Sequence, residues 1–207
     1  MREECTVDRF LKDVASHRLT VTRDEGVFRH LRFQKPGSGC YSFDIITWDG
    51  YLCYTGDMGC YVFSRITDML EFFRSPNDVE LKINLHYWAE KIQAADQTDG
   101  LKEYSPDKAR QVVADILDQD EDADDDLRAA VSDYVLARAD DGPQAVHDAA
   151  ESFEWNGSPY FSDFWEYDLT EYTYRFIWCC YALVWGIQQY DKLKLEKEKQ
   201  SDANKAG

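Results

Sequence analysis

The sequence predicts an α+β fold: an N-terminal antiparallel β-meander with hairpins, followed by a helical half that ends in a long aromatic C-terminal helix. Two patterns carry this. Apolar residues alternate with period two through residues 43–63, around an Asp49-Gly50 turn. From Ile66 onward the period becomes 3.6, and apolar residues recur at helical spacing. With 207 residues, 44% of them apolar, the chain can bury a core of its own. One domain over residues 1–200 is expected, sheet-rich over 6–83 and helical over 84–200, with 201–207 frayed.

Val7, Phe10, Leu11 and Val14 predict a short opening helix. Residues 18–22 and 27–34, joined across Asp24-Glu25-Gly26, read as a hairpin. Phe43-Asp-Ile-Ile-Thr-Trp48, Tyr51-Leu-Cys-Tyr-Thr55 and Cys60-Tyr-Val-Phe63 read as three strands. Asp49-Gly50 supplies the positive φ of a two-residue turn, and Gly56-Asp-Met-Gly59 a four-residue one. Pairing through these turns sets Ile45 opposite Tyr54 and Tyr54 opposite Tyr61, with Leu52 and Phe63 on the same face. The other face carries Ile46, Trp48, Tyr51, Cys53 and Val62, so both faces are expected to be covered.

Ile66, Met69, Leu70 and Phe73 predict a helix, and Asn84 caps another carrying Leu85, Trp88 and Ile92. Ser105-Pro106-Asp107 is a helix start, with a capping side chain and proline at the first helical position. Further helices are expected over about 125–139 and 143–153, and Trp155-Asn156-Gly157-Ser158-Pro159 forces a turn. Asp168 and Glu171 resemble a capping box opening the last helix, which runs to about Lys197.

The formal charge of −17 is concentrated. Residues 103–171 hold 20 Asp/Glu against Lys108, Arg110, Arg128 and Arg138, a net −16. Such a face repels nucleic acid and attracts proteins with basic surfaces. Glu3 and Glu4 follow Met1-Arg2 with no apolar segment behind them, and the longest uncharged apolar run, Phe176 to Ile187, is twelve residues; a membrane span needs about 20. A cytoplasmic protein without a membrane segment is expected. The six cysteines contain no Cys-x-x-Cys pair and the four histidines are scattered, so no metal and no cofactor are expected, and the thiols are read as reduced core hydrophobes.

Two segments carry a resemblance: Phe43-Asp-Ile-Ile-Thr-Trp48 through Tyr61-Val-Phe63, and Phe164-Trp-Glu-Tyr-Asp-Leu-Thr-Glu-Tyr172 with Phe176-Ile-Trp-Cys-Cys-Tyr-Ala182. On these residues the chain resembles a family of uncharacterised proteins carried by phages and prophages of proteobacteria, over most of residues 6–191. The resemblance implies a mobile-element setting inside a bacterial host, in which small acidic proteins often inhibit defence enzymes. It supplies no catalytic residue.

The candidate partner-binding residues are Asp118, Asp120, Glu121, Asp122, Asp124, Asp125, Asp126, Asp133, Asp140 and Asp141. They suit a partner protein with a basic surface, and together they could imitate the phosphate array of DNA, one charge per about 1.7 Å of duplex axis. The alternative is a solvated linker whose acids stabilise the next helix. A calcium loop fails on spacing: from Asp118 the sixth position is Ala123 and the twelfth Ala129, where glycine and glutamate are required.

Residues 9–35 have the opposite sign, +4, which reads as a balancing surface rather than a nucleic-acid site. Asp57 or Asp68 with Glu80 and Lys82 matches, weakly, the carboxylate, carboxylate and lysine of metal-dependent nucleases. His30 with Cys40 or Cys53 is a poorer nucleophile pair. Aromatics of the last helix, among them Trp178 and Trp185, fit a core and also a homodimer contact. The reading favours a non-enzymatic inhibitor of a host nucleic-acid-binding protein, with no direct nucleic-acid contact. A small nuclease and a phage accessory structural subunit are the alternatives.

Overall fold

The computed structural model describes residues 4–74, 81–98 and 100–205. The chain divides into two compact units: Met1–Leu101 with Tyr172–Gly207, and Lys102–Glu171. The division does not fall at residue 84, because a sixth strand follows that point and the last helix returns to the sheet.

The first unit opens with α1 (Val7–Val14), whose N-cap Thr6 accepts a hydrogen bond from the Arg9 amide at 3.3 Å. Six strands follow in sequence order, β1 (Arg18–Glu25), β2 (Phe28–Gln34), β3 (Phe43–Trp48), β4 (Tyr51–Gly56), β5 (Gly59–Ser64) and β6 (Ile92–Ala95). Every neighbouring pair is antiparallel. The register pairs Ile45 with Tyr54 and Tyr54 with Tyr61, as the turns predict. The second turn is tighter than expected, since Gly56 and Gly59 themselves pair and leave only Asp57-Met58 between the strands. A Cβ on Gly56 would overlap the Ser42 carbonyl oxygen, so no larger residue fits there unless the backbone moves.

One face of this sheet is closed. Phe33, Phe43, Ile45, Leu52, Tyr54, Tyr61 and Phe63 are fully buried in a core shared with α1, the helix Met69–Phe73 and the final helix, Tyr174–Lys205. Trp178 meets Phe10 edge-on at 5.0 Å and donates its indole N–H to Asp13 at 3.0 Å. Gly186 lets the final helix lie close to the sheet, since a Cβ there would come within 2.8 Å of Ile45 Cδ1 and 3.1 Å of Phe33. Polar ties reinforce the seam: Tyr190 Oη donates to Asp24 at 2.6 Å, and Arg74 pairs with Asp191 at 2.8 Å.

The second face departs from the expectation of full cover. Ile46, Trp48, Cys53 and Val62 are only half-buried and Tyr51 is exposed. Trp48 and Tyr51 stack on each other at 5.3 Å, and Asp44 binds both His30 and Arg32, so this face shields its apolar surface laterally.

Among the described residues between β5 and β6 lie two short helices, α2 (Met69–Phe73), capped by Asp68, and α3 (Leu85–Ala89), capped by Asn84. Ile92 does not continue α3; it begins β6, pairing with Phe63. The final helix also starts later than predicted. Thr170–Tyr172 is a strand beside Lys102–Tyr104, Asp168 accepts from the Thr170 amide instead of capping, and Thr173 Oγ1 takes the cap by accepting from the Phe176 amide at 3.2 Å. The helix then runs through Lys205, into the tail expected to fray.

The second unit contains α4 (Pro106–Gln119), α5 (Asp125–Tyr134), a 3-10 segment Leu136–Asp141 and α6 (Pro143–Ser152). Ser105 caps α4 at the Lys108 amide as predicted, 3.1 Å away. α5 stops at Tyr134, short of the expected Ala139, because the chain tightens into the 3-10 segment before Gly142-Pro143. The core of this unit is its own, built on Val113, Leu117, Val131, Val146, Phe153 and Phe164. Among the described residues no helix is long and apolar enough to cross a membrane.

Candidate functional site

The second unit carries 20 Asp/Glu against five Lys/Arg, a net −15, whereas the remaining residues sum to −2. Charge and fold therefore divide at the same places. The acid sits mainly on α4, on the connection to α5, on α5 itself and on the 3-10 segment, where helical periodicity turns apolar residues inward and carboxylates outward.

The ten predicted residues separate into two sets. Asp118 pairs with Arg128 at 2.8 Å, Asp140 with Arg110 at 2.6 Å and Asp141 with Arg138 at 3.2 Å. Asp124 caps α5 by accepting from the Leu127 amide at 2.8 Å. Asp120 is half-buried and accepts both from the Tyr160 hydroxyl at 2.8 Å and from the Asp122 amide at 3.0 Å. Burial and the Asp120 carboxylate together push the Tyr160 phenol up to about 12. These five are engaged within the unit, as exposed ion-pair partners, a helix cap and a hydroxyl acceptor. Glu121, Asp122, Asp125, Asp126 and Asp133 are exposed, and their carboxylates have no partner among the described residues.

Between α5 with its 3-10 extension and α6 lies a groove of about 670 Å³, lined among others by Asp133, Tyr134, Arg138, Ala145, Asp148 and Ala149. Tyr134 is 52% exposed, with its hydroxyl 3.5 Å from Ser152 Oγ and its ring 5.8 Å from Phe153. Trp165 is 71% exposed on a 3-10 turn of the same unit. Exposed aromatics are enriched at protein-binding surfaces, and Tyr134 follows the unpaired Asp133 on α5. The sequence patterns gave no sign of them, because Tyr134 and Trp165 follow the same spacing as core residues.

The other candidate residues are occupied elsewhere. Asp57 accepts from the Tyr41 amide at 2.8 Å at the base of the β4–β5 turn. Asp68 caps α2 and receives two hydrogen bonds from Arg29 at 2.9 Å, a pair that holds its carboxyl below the usual range against the opposing effect of burial. Glu80 lies outside the described residues. Lys82 is in neither helix nor strand. His30 is bound to Asp44 at 2.7 Å rather than aimed at a thiol. Burial pushes the Cys53 thiol up to about 12, away from the thiolate a nucleophile needs. Among the described residues no group of three or more His, Cys, Asp or Glu side chains is arranged to hold a metal ion.

No family model, curated protein or solved structure matches the chain.

Proposed function

We propose that the chain is a phage- or prophage-encoded interaction protein that acts in the bacterial cytoplasm by docking its acidic unit onto a basic, nucleic-acid-binding surface of a host protein. The observation that carries this reading is the placement of charge. A net −15 is confined to a separately packed unit, and five of the ten carboxylates predicted to bind a partner point to solvent without a partner among the described residues. Asp125 and Asp126 lie in the first turn of α5, where acids favour the helix N-terminus, whereas Glu121, Asp122 and Asp133 have neither an ion-pair partner nor a capping role among the described residues. They raise the local potential, speed encounter with a cationic surface and compete with DNA or RNA for it. An anti-defence inhibitor is the biological use that fits.

The test uses purified protein with Asp122, Asp125 and Asp126 changed to Asn, beside wild type, in pull-downs from bacterial lysate at low and high salt. The expected result is capture of a nucleic-acid-binding protein by wild type, weakened both by salt and by the triple variant, and competed by duplex DNA. Equal capture by both proteins at every salt concentration overturns the reading. Turnover is tested in parallel with single- and double-stranded substrates, with and without Mg²⁺. Metal-dependent cleavage that Glu80→Gln abolishes would assign the chain to the nucleases instead.

A further inference from the structure

The α5–α6 groove is a concavity in the acidic unit. α6 presents Ala145, Asp148 and Ala149 at successive helical spacing, so two methyl groups line the groove with a carboxylate beside them. α5 and its extension present Asp133, Tyr134 and Arg138. Asp148 already accepts from Gln144 at 2.7 Å through one oxygen, and Asp133 accepts from nothing among the described residues. Arg138, the one cation among the described residues that line the groove, has its charge met by Asp141 at 3.2 Å. The groove's lining is therefore mainly polar, with Ala145 and Ala149 supplying apolar surface, Tyr134 an aromatic ring, and Asp133 and Asp148 negative charge.

We infer that this groove is an arginine anchor: it receives an arginine side chain of the protein partner, with its aliphatic stem on Ala145 and Ala149 and its guanidinium between Asp133, Asp148 and the Tyr134 ring. The inference rests on the acidic-docking reading and sharpens it to one side-chain chemistry. Charge complementarity makes the occupant cationic, since the unit's field excludes anions. Arginine suits the groove better than lysine for two reasons. Its planar guanidinium can face a tyrosine ring and a carboxylate at once, and it is more weakly hydrated than an ammonium, so less is lost on entering a partly enclosed site. The two alanines take the three methylenes that long cationic side chains lay along apolar surface. At about 670 Å³ the groove also admits residues flanking the anchor.

The probes are hexa-arginine and hexa-lysine peptides, equal in charge, titrated at low salt against the full chain by calorimetry and by amide chemical shifts. Wild type should bind hexa-arginine about threefold or more tighter, the factor an exposed cation–π contact supplies, with shifts centred on Tyr134, Ala145 and Ala149. Tyr134→Leu keeps apolar contact with Phe153 and should abolish the arginine preference while leaving hexa-lysine binding unchanged. Ala145→Phe should block the groove and lower hexa-arginine affinity. Should either of these variants fail to fold by circular dichroism, Asp133→Asn, at an exposed position, should reduce binding of both peptides with shifts lost from the groove. The Asp122, Asp125, Asp126→Asn protein should weaken both peptides alike and keep their ratio. Equal binding of the two peptides by wild type, or a preference that survives Tyr134→Leu, overturns the anchor while leaving the docking reading standing. Failure of both peptides to bind overturns both.

Discussion

Gly186 and Asp168 illustrate how single residues decide more than their propensities suggest. Gly186→Ala should gain up to about 1 kcal/mol of helix propensity, yet its new Cβ meets Ile45 and Phe33 at 2.8 and 3.1 Å. Overpacking of this kind costs about 1–3 kcal/mol, so the variant is expected to be net destabilised, and chemical denaturation of the purified protein checks the sign. Asp168 accepts from Lys102 Nζ at 2.6 Å and from the Thr170 amide, which hold its carboxyl down to about 2, below its ordinary 3.8. A carboxylate with a depressed folded-state value stabilises above the unfolded-state value and loses that contribution as pH falls through the folded one. Melting temperatures of wild type and Asp168→Asn should therefore differ most above pH 4 and converge between pH 4 and 2. A constant difference down to pH 2 would show that the ion pair does not set this carboxyl's titration.

For whole elements, α5 separates folding from function within one acidic run. Asp124 is its cap, and Asp124→Ala should cost about 1 kcal/mol in urea unfolding, whereas Asp122→Asn, at an exposed unpaired position, should stay within about 0.5 kcal/mol. Asp120 belongs with Asp124, because it holds Tyr160. Neutralising residues 120–126 together would thus mix a structural defect with a binding one, which is why the binding test leaves both in place. The sheet shows the same distinction between its faces. Tyr54→Asp puts an unpaired charge into the closed core and should abolish cooperative melting. Cys53→Asp, on the half-buried face, should lower the melting temperature far less; equal losses would mean that the second face is also sealed in solution.

At the scale of the whole molecule, the two units carry very different charge, −15 and −2, so added salt should weaken partner capture through the second unit while leaving the packing of the first unaffected. Comparing capture and near-UV circular dichroism over a salt series checks this; a parallel loss of both signals would contradict it. Much of this organisation is legible in the chain. The Asp49-Gly50 and Gly56–Gly59 turns are enough to set the register of β3–β5, because turn length fixes which residues pair in a hairpin. Ser105-Pro106 and Asn84 mark helix starts through local hydrogen bonding alone, and the uneven distribution of acid needs only counting. Tertiary structure decided the rest. Ile92 reads as helical by spacing but pairs with Phe63, since a place at the sheet edge outweighs a weak local preference. The last helix begins at Tyr174, not beside Asp168, because the strand Thr170–Tyr172 claims that backbone first. Which acids are free to meet a partner was likewise invisible in sequence: Asp118, Asp120, Asp124, Asp140 and Asp141 are spent on arginines, a tyrosine and a helix cap brought to them by folding, and Glu121, Asp122, Asp125, Asp126 and Asp133 are not. Sequence determines the number of charges and the helix or turn that bears each one; only packing, which selects partners across long separations, determines which of them remain for another molecule.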